Sequence, residues 1–179
     1  MPAIDSFIEE CREQQPDLLA NYLRFFDGVI ALPITSEMLL QAYLANNFKK
    51  VFGVDGEPIL YESPLPGTGT NSGKLDFVYL LQERGLLAIE TKYIDLKENG
   101  KTACDRRRKQ RSKVISQAKA ARGAIAEKLD FSSNDIKCGV FSNDEKTTEK
   151  ARAEGIDAFD VSTESLIDWR KKEYKIRFG

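Results

Sequence analysis

Residues 73–92, with the sequence GKLDFVYLLQERGLLAIETK, carry the most informative pattern in the chain. Two apolar runs flank a polar QERG, which is the pattern of a β-hairpin. Charged residues nevertheless interrupt these runs at Asp76, Glu90 and Lys92. A buried carboxylate without a partner is costly and tends to neutralise by shifting its pKa. The three charges therefore need partners.

The turn between the two runs predicts which side chains meet. The ERG at 83–85 fits a three-residue hairpin loop whose glycine takes the left-handed conformation. In that register Gln82 pairs with Leu86 and Asp76 lies opposite Lys92. Glu90 is then the diagonal neighbour of Asp76 on the same face of the sheet. We therefore expect the three charged groups to converge on one place.

Two interpretations of this cluster are open. In the first, Asp76 and Lys92 form a structural ion pair and Glu90 is a surface residue at the end of its strand. In the second, the surplus negative charge of two acids beside one lysine is met by a divalent cation. Oxygen ligands alone suit Mg²⁺ or Mn²⁺, which typically keep several waters.

The composition indicates a globular protein of one domain. The chain has 179 residues, of which 41% are hydrophobic and 31% charged. No apolar run approaches the roughly 20 residues needed to cross a bilayer, and the N-terminal residues resemble neither a secretory signal nor a transit peptide. Three cysteines without a CxxC pair favour a reducing compartment over a disulfide frame. We therefore expect a cytoplasmic protein.

The sequence contains no histidine. This excludes Ser-His-Asp and Cys-His catalysis, and it excludes zinc sites that use histidine ligands. Any chemistry must come from carboxylates, lysine, arginine, hydroxyl groups or a cation held by oxygen atoms.

The net charge of −1 hides a strong asymmetry along the chain. Between residues 101 and 128 there are ten basic and two acidic residues, a local net charge of +8. The rest of the chain holds seventeen basic and twenty-six acidic residues, which is −9. A single strongly positive segment is typical of a local polyanion site.

Helical patterns dominate the first third of the chain. Apolar residues at helical spacing predict two helices, the second of which is expected to stop at Asp27 and Gly28. A third helix is predicted within TSEMLLQAYLANNFKKVFG at 35–53. Thr35 or Ser36 is expected to cap it, and Gly53 to end it.

The remainder alternates between strands and helices. Apolar residues lie on both faces of the hairpin strands, as in central strands that helices cover on both sides. We predict a first strand at 57–63 and the two hairpin strands at 74–82 and 86–93. A long helix at 106–129 and a strand at 136–142 follow. A short helix at 147–155, a strand at 156–161 and a closing helix at 163–172 complete the order. The fold class is therefore α/β, with a mixed central sheet flanked by helices.

The residues LD at 75–76 and ETK at 90–92 resemble the signature of the PD-(D/E)xK nuclease superfamily, which includes restriction endonucleases and Holliday junction resolvases. Leu75 stands where the motif has proline. The resemblance implies a restriction-endonuclease-like core and metal-dependent hydrolysis of DNA. It implies that Asp76 and Glu90 bind Mg²⁺ or Mn²⁺ with help from the Thr91 carbonyl, and that Lys92 contacts the attacking water or the scissile phosphate.

The resemblance also suggests a division of the chain. A single nuclease-like domain would span residues 1–179, with a helical extension at 1–30, the core at 35–142 and a C-terminal α-β-α unit at 143–179. Many members of the superfamily dimerise to cut both strands, so a homodimer is expected on the same ground.

Four further polar residues have two interpretations each. Glu37 either complements the dipole of its helix or, as in many superfamily members, reaches the metal site. Gln117 is either an ordinary boundary residue or a glutamine that points at the active site. Glu62 is expected to be structural or solvated, although it is a candidate acidic neighbour. Asp95, just beyond Lys92, is expected to be a loop residue rather than a ligand.

The run RRRKQRSK at 106–113 is a candidate DNA contact. Cations in the first turn of a helix oppose its dipole, so local stability does not favour them there. We expect backbone phosphates to be contacted by this part of the chain, namely by Arg106, Arg107, Arg108, Lys109, Lys113 and Gln117. The alternative is a solvated helix start.

Two functions therefore follow from the sequence. The first is a Mg²⁺-dependent DNA endonuclease of the restriction or resolvase type. The alternative is an inactive version of the same fold that binds DNA or serves as a scaffold in a larger complex. Asp76, Glu90 and Lys92 favour the enzyme, because a scaffold has no need of surplus charge in apolar strands.

Overall fold

The computed structural model describes residues 2–31, 37–68, 73–83 and 85–179. The predicted order of elements is confirmed. Its helices are α1 to α6, at Pro2–Gln14, Leu18–Ala31, Glu37–Phe52, Lys101–Leu129, Glu145–Ala153 and Thr163–Phe178. Its strands are β1 to β5, at Gly56–Ser63, Leu75–Leu81, Leu86–Lys92, Lys137–Ser142 and Asp157–Asp160. One short 3₁₀ turn at Ser133–Asp135 precedes β4.

The five strands form one mixed sheet in the order β1-β2-β3-β4-β5. The first three strands are antiparallel, and β3, β4 and β5 run parallel to one another. The parallel connections pass through α4 and α5, as parallel strands require a crossover. The predicted α/β class with a mixed central sheet is confirmed.

Helices cover both faces of the sheet, which explains the continuous apolar runs of its strands. One face packs against α2, α3 and α6, with Phe77, Ile89 and Phe141 at its centre. The other face packs against α1 and α4, with Ala88 and Ile125 in its core. Strand β3 lies at the middle of the sheet, and all of its residues except Lys92 are buried.

Several helix boundaries differ from the prediction. Helix α5 begins and ends two residues earlier than predicted, and α6 continues to Phe178, six residues beyond its predicted end. Helix α2 continues through Asp27 and Gly28 to Ala31, because the next residues, Val29 and Ile30, are buried in the core. Helix α4 begins at Lys101, five residues earlier than predicted. The sequence did not reveal this start because the first turns of the helix are polar and lack the apolar spacing that marks a helix. Residues 35 and 36, the predicted caps of α3, lie outside the described residues.

The predicted end of α3 is confirmed. Gly53 follows the helix with a φ of 71°, and its N–H donates to the carbonyl of Lys49 at 2.9 Å. Within the described residues no helix is both long and apolar enough to cross a membrane.

The predicted hairpin register is wrong by two residues. In the structure Phe77 lies opposite Ile89, and Leu80 lies opposite Leu86. Residues 82–85 connect the strands, one residue more than the predicted loop, and Arg84 within them lies outside the described residues. Because the shift is an even number of residues, each side chain keeps its predicted face.

Candidate active site

The corrected register brings two carboxylates together. Continued one residue beyond the pair of Phe77 and Ile89, it places Asp76 directly opposite Glu90. Opposed Cβ atoms in antiparallel strands lie about 4.5–5.5 Å apart. Glu90 is only 4% exposed and Asp76 is half-buried. The structure therefore places the two predicted metal ligands opposite each other, near the start of β2 and the end of β3.

The two acids disfavour each other's ionisation. Burial, together with the nearby charge of Asp76, raises the pKa of Glu90 to about 8. Burial likewise raises the pKa of Asp76 to about 6, against the hydrogen bonds of Thr91, which lower it. The charges of Glu62 and Glu37 add to both effects. A cation between the two carboxylates would relieve this repulsion.

Thr91 holds Asp76 in place. Its backbone N–H and its hydroxyl both donate to Oδ2 of Asp76, each at 2.7 Å. The resemblance implied only that the Thr91 carbonyl would assist a metal. The role of the carbonyl stays a prediction, whereas the two hydrogen bonds to Asp76 are an additional function of this residue.

Lys92 is paired with α3 rather than with Asp76. Its Nζ atom lies 2.5 Å from Oε2 of Glu37, which also accepts a hydrogen bond from the backbone N–H of Tyr93 at 3.3 Å. The first interpretation of the cluster, a structural ion pair between Asp76 and Lys92, is therefore not what the structure contains. Glu37 therefore contacts Lys92, and the role at the metal site that the resemblance implied for it stays a prediction.

Sequence reasoning missed Gln41. This residue lies one helical turn after Glu37 and is 2% exposed. Its side chain bonds with Glu62, Thr91 and Tyr61 at 3.0–3.1 Å. The available signal was a glutamine inside the apolar stripe of a helix, where an unpaired amide would be costly.

The remaining acidic candidates lie at the margin of the site. Glu62 is exposed and has a φ of 46°, in the left-handed region that non-glycine residues rarely adopt. Its carboxylate is bonded to Gln41. Asp95 accepts a hydrogen bond from the N–H of Lys97 at 2.9 Å in an exposed loop, which agrees with the predicted loop role.

A cavity of about 250 Å³ opens beside Glu90. It lies between α4 and the part of the hairpin that carries Glu90, and its polar lining includes Glu90, Gln117 and Lys74. Small and apolar residues such as Leu75 and Ala120 form the rest of its wall. The structure therefore brings Gln117 to the space in front of Glu90.

Most arginines of the predicted DNA-binding run have partners within the chain. Three of them form ion pairs, namely Arg106 with Glu98, Arg108 with Asp105 and Arg111 with Asp144. Arg107 donates to the backbone carbonyl of Glu98. Among the described residues, Lys109 and Lys113 have no ion-pair partner, and both are exposed. They share a helix face with Gln117 at intervals of four residues.

The donor set fits a hard cation bound by few protein ligands. In the described ranges no three acidic, cysteine or histidine side chains stand together as a ready-made metal cage. Mg²⁺ does not require one, since it is commonly held by one or two carboxylates and several waters. Asp76 and Glu90 supply two carboxylates whose mutual repulsion a cation would remove.

The pKa of Glu90 predicts how stability depends on pH in the absence of metal. Its ordinary pKa is about 4.5, so between about pH 4.5 and 8 the folded chain holds a proton that the unfolded chain has released. The free energy of unfolding therefore falls as the pH rises through this window and levels off above it. We expect Glu90→Gln to flatten the fall. Thermal melts in EDTA from pH 5 to 9 would measure it, at about 2–4 °C per kcal/mol.

The control for this measurement is Glu149→Gln, which changes an exposed glutamate of α5. It should retain the slope of the wild-type protein. Equal slopes for the wild type and Glu90→Gln would show that Glu90 is not protonated in the folded chain, and the raised pKa would be wrong.

Comparison with known proteins finds distant structural likeness and no match by sequence. No family model matches the chain, and no curated protein matches it. One similar solved structure is an EndoMS–double-stranded DNA complex, with a TM-score of 0.47 and 11% identity over 74% of this chain and 47% of the other. Another is a repair endonuclease from Pyrococcus abyssi, with a TM-score of 0.45 and 16% identity over 73% of this chain and 48% of the other.

The chain thus spans about half the length of the two structures. At these identities the likeness concerns the arrangement of helices and strands, and the chemistry of this chain rests on its own residues.

Proposed function

We propose that this protein is a nuclease that hydrolyses phosphodiester bonds of DNA with the help of Mg²⁺ or Mn²⁺. The observation that carries the proposal is the direct opposition of Asp76 and Glu90 on adjacent buried strands. Two acids in such a place destabilise the chain when both are ionised, so a structural role alone does not account for them. Lys92 and the cavity beside Glu90 supply the other parts of a phosphoryl-transfer site.

Each residue has a separate task in this proposal. Asp76 and Glu90 would hold the divalent cation, which lowers the pKa of bound water and neutralises charge on the phosphate. Lys92, two residues after Glu90 at the end of β3, would place a positive charge beside the scissile phosphate or the attacking water. Glu37 orients Lys92 through their ion pair at 2.5 Å. Its role is therefore to position the lysine.

The reaction is a hydrolysis in which all atoms are supplied by water and DNA. The water oxygen forms a new bond to phosphorus and releases a proton to solvent, the bond between phosphorus and the leaving sugar oxygen breaks, and that oxygen takes up a proton from solvent. The carboxylates that would hold the cation and the positive charge of Lys92 are the protein's contribution, so the chemistry needs no histidine. This agrees with the composition of the chain.

The free cations of α4 suggest how DNA reaches the site. Lys109, Lys113 and Gln117 form a line along one face of the helix, and Gln117 ends that line at the cavity shared with Glu90. Phosphates bound by the two lysines would guide the backbone towards the carboxylates. Arg106, Arg107 and Arg108 are already engaged within the chain, so we assign them a smaller part than the sequence suggested.

A cleavage assay tests the proposed activity. The purified protein is incubated with plasmid, linear and four-way-junction DNA in Mg²⁺, Mn²⁺ or EDTA. We expect cutting with either metal and none in EDTA, because the cation supplies the activated water. Asp76→Asn and Glu90→Gln should abolish cutting, and Lys92→Ala should reduce it by roughly 10²-fold or more.

Glu149→Gln serves as the matched control for the acidic variants, since its side chain lies on the exposed face of α5. It should cut at the wild-type rate. Metal-dependent cutting that survives Glu90→Gln in folded protein would contradict the proposed site. If the wild type binds DNA but cuts none of the substrates, the alternative, an inactive DNA-binding subunit, is favoured.

A second prediction concerns the lysine line on α4. Lys113→Ala should weaken DNA binding about equally for all sequences and lower the slope of log K against log salt by about 1. Binding is measured by fluorescence anisotropy in the Glu90→Gln background, so that no cutting interferes. The control is Lys119→Ala on the same helix, whose amine is paired with Glu154 at 2.7 Å. An equal effect of both changes would refute a specific phosphate contact at Lys113.

A further inference from the structure

Four side chains, each from a different helix or strand, form a continuous hydrogen-bonded chain that ends at Asp76. The hydroxyl of Tyr61 on β1 bonds to Oε1 of Gln41 on α3 at 3.1 Å. Nε2 of Gln41 donates to Oγ1 of Thr91 on β3 at 3.1 Å. The Thr91 hydroxyl then donates to Oδ2 of Asp76 on β2 at 2.7 Å. We call these four residues the Gln41 relay.

Chemistry fixes the direction of every bond in the Gln41 relay. Nε2 of Gln41 also lies 3.0 Å from Oε1 of Glu62. A carboxylate only accepts hydrogen bonds, so the amide must turn its NH₂ group towards Glu62 and Thr91. The Thr91 oxygen therefore accepts from Gln41, and its own proton is left to point at Asp76. Tyr61 must likewise be the donor to the amide oxygen.

The relay sits in surroundings where its bonds matter. Gln41 and Thr91 are 2% and 3% exposed, and unmet polar groups are costly at such burial. Bonds that run in one direction strengthen one another in a poorly solvated interior. Glu62 is held by the same amide although its backbone lies in the left-handed region. Such strain persists only where the surrounding structure maintains it, and it is frequent at functional sites.

We infer that Gln41 is a positioning residue of the metal site, which fixes one oxygen of Asp76 through Thr91 and leaves the other oxygen to a divalent cation. The inference rests on the proposed function, because it assigns a task towards the same metal. Oδ2 of Asp76 already accepts two hydrogen bonds from Thr91, one from its backbone N–H and one from its hydroxyl. A carboxylate held in this way presents its free oxygen in one orientation. Partners of this kind commonly contribute 10–100-fold to metal affinity.

The relay gives α3 two separate connections to the site. Glu37, at the start of the described helix, holds Lys92, and Gln41, one turn later, holds Asp76 through Thr91. Both contacts arise from one face of one helix, since residues four apart lie above each other. A small displacement of α3 would therefore disturb the lysine and the carboxylate together.

The test replaces Gln41 by methionine, which keeps the length of the side chain and removes all of its hydrogen bonds. In metal-free protein, hydrogen exchange of the Thr91 amide, which bonds to Asp76, should become faster. Isothermal titration with MnCl₂ should show an affinity about tenfold weaker or more. In the cleavage assay kcat should fall while KM for DNA stays near the wild-type value. Tyr61→Phe removes a single hydroxyl and should shift each measurement less, in the same direction.

The matched control is Thr148→Val. Thr148 is buried, and its hydroxyl bonds to an aspartate, Asp160, at 2.8 Å, but it lies on α5 outside the site. Thr91→Val should weaken Mn²⁺ binding, whereas Thr148→Val should lower stability and leave the affinity unchanged. This separates positioning from a general loss of stability.

The outcomes distinguish this inference from the proposed function. Suppose that the wild type binds Mn²⁺, that Gln41→Met binds it equally well, and that the Thr91 amide of this variant still exchanges slowly. The positioning role is then refuted and the nuclease stands. Tyr61→Phe takes the place of Gln41→Met if that variant does not fold. If the wild type binds no Mn²⁺ at millimolar concentration, the proposed metal function fails and the positioning role fails with it. Weaker binding in the relay variants alone supports the inference.

Discussion

The repulsion between two carboxylates on neighbouring buried strands is the constraint on which the rest of the site depends. Asp76 and Glu90 lie opposite each other on two central strands of a sheet that helices cover on both sides, where burial disfavours their charged forms. The chain lowers the cost by raising both pKa values and by donating hydrogen bonds to Asp76. A divalent cation between the two carboxylates, as we propose, would remove the remaining repulsion.

The two helical layers contribute different parts of the site. Helix α3 holds the reactive groups from one side, through the contact of Glu37 with Lys92 and that of Gln41 with Thr91. Helix α4 forms the opposite wall of the cavity beside Glu90 and carries the exposed lysines that we propose contact DNA. Strand β3 lies between them and presents successive residues to the two layers. The alternation of a single strand thereby places Glu90 towards the cavity beside α4 and Thr91 towards Gln41 of α3.

The sequence predicts the order of elements and the location of the site, because both depend on local patterns. The apolar runs and their charged interruptions identify the hairpin, and the parity of its residues assigns Asp76 and Glu90 to one face. The predicted register is wrong, because it depends on the conformation of the turn, and the residues ERG at 83–85 are compatible with more than one turn. The partners of Lys92 and Gln41 come from distant parts of the chain, and spacing along a sequence does not report such contacts. For the same reason the engaged arginines of α4 look like free cations in the sequence.

The central claim is that the opposed carboxylates bind a divalent cation, and the most direct test is a crystal structure grown with MnCl₂ and measured near the manganese absorption edge. The account predicts an anomalous peak within about 2.0–2.3 Å of oxygen atoms of both Asp76 and Glu90, and no such peak for the Asp76→Asn variant. A well-ordered site with no peak, or with manganese bound only elsewhere on the molecule, would contradict the account.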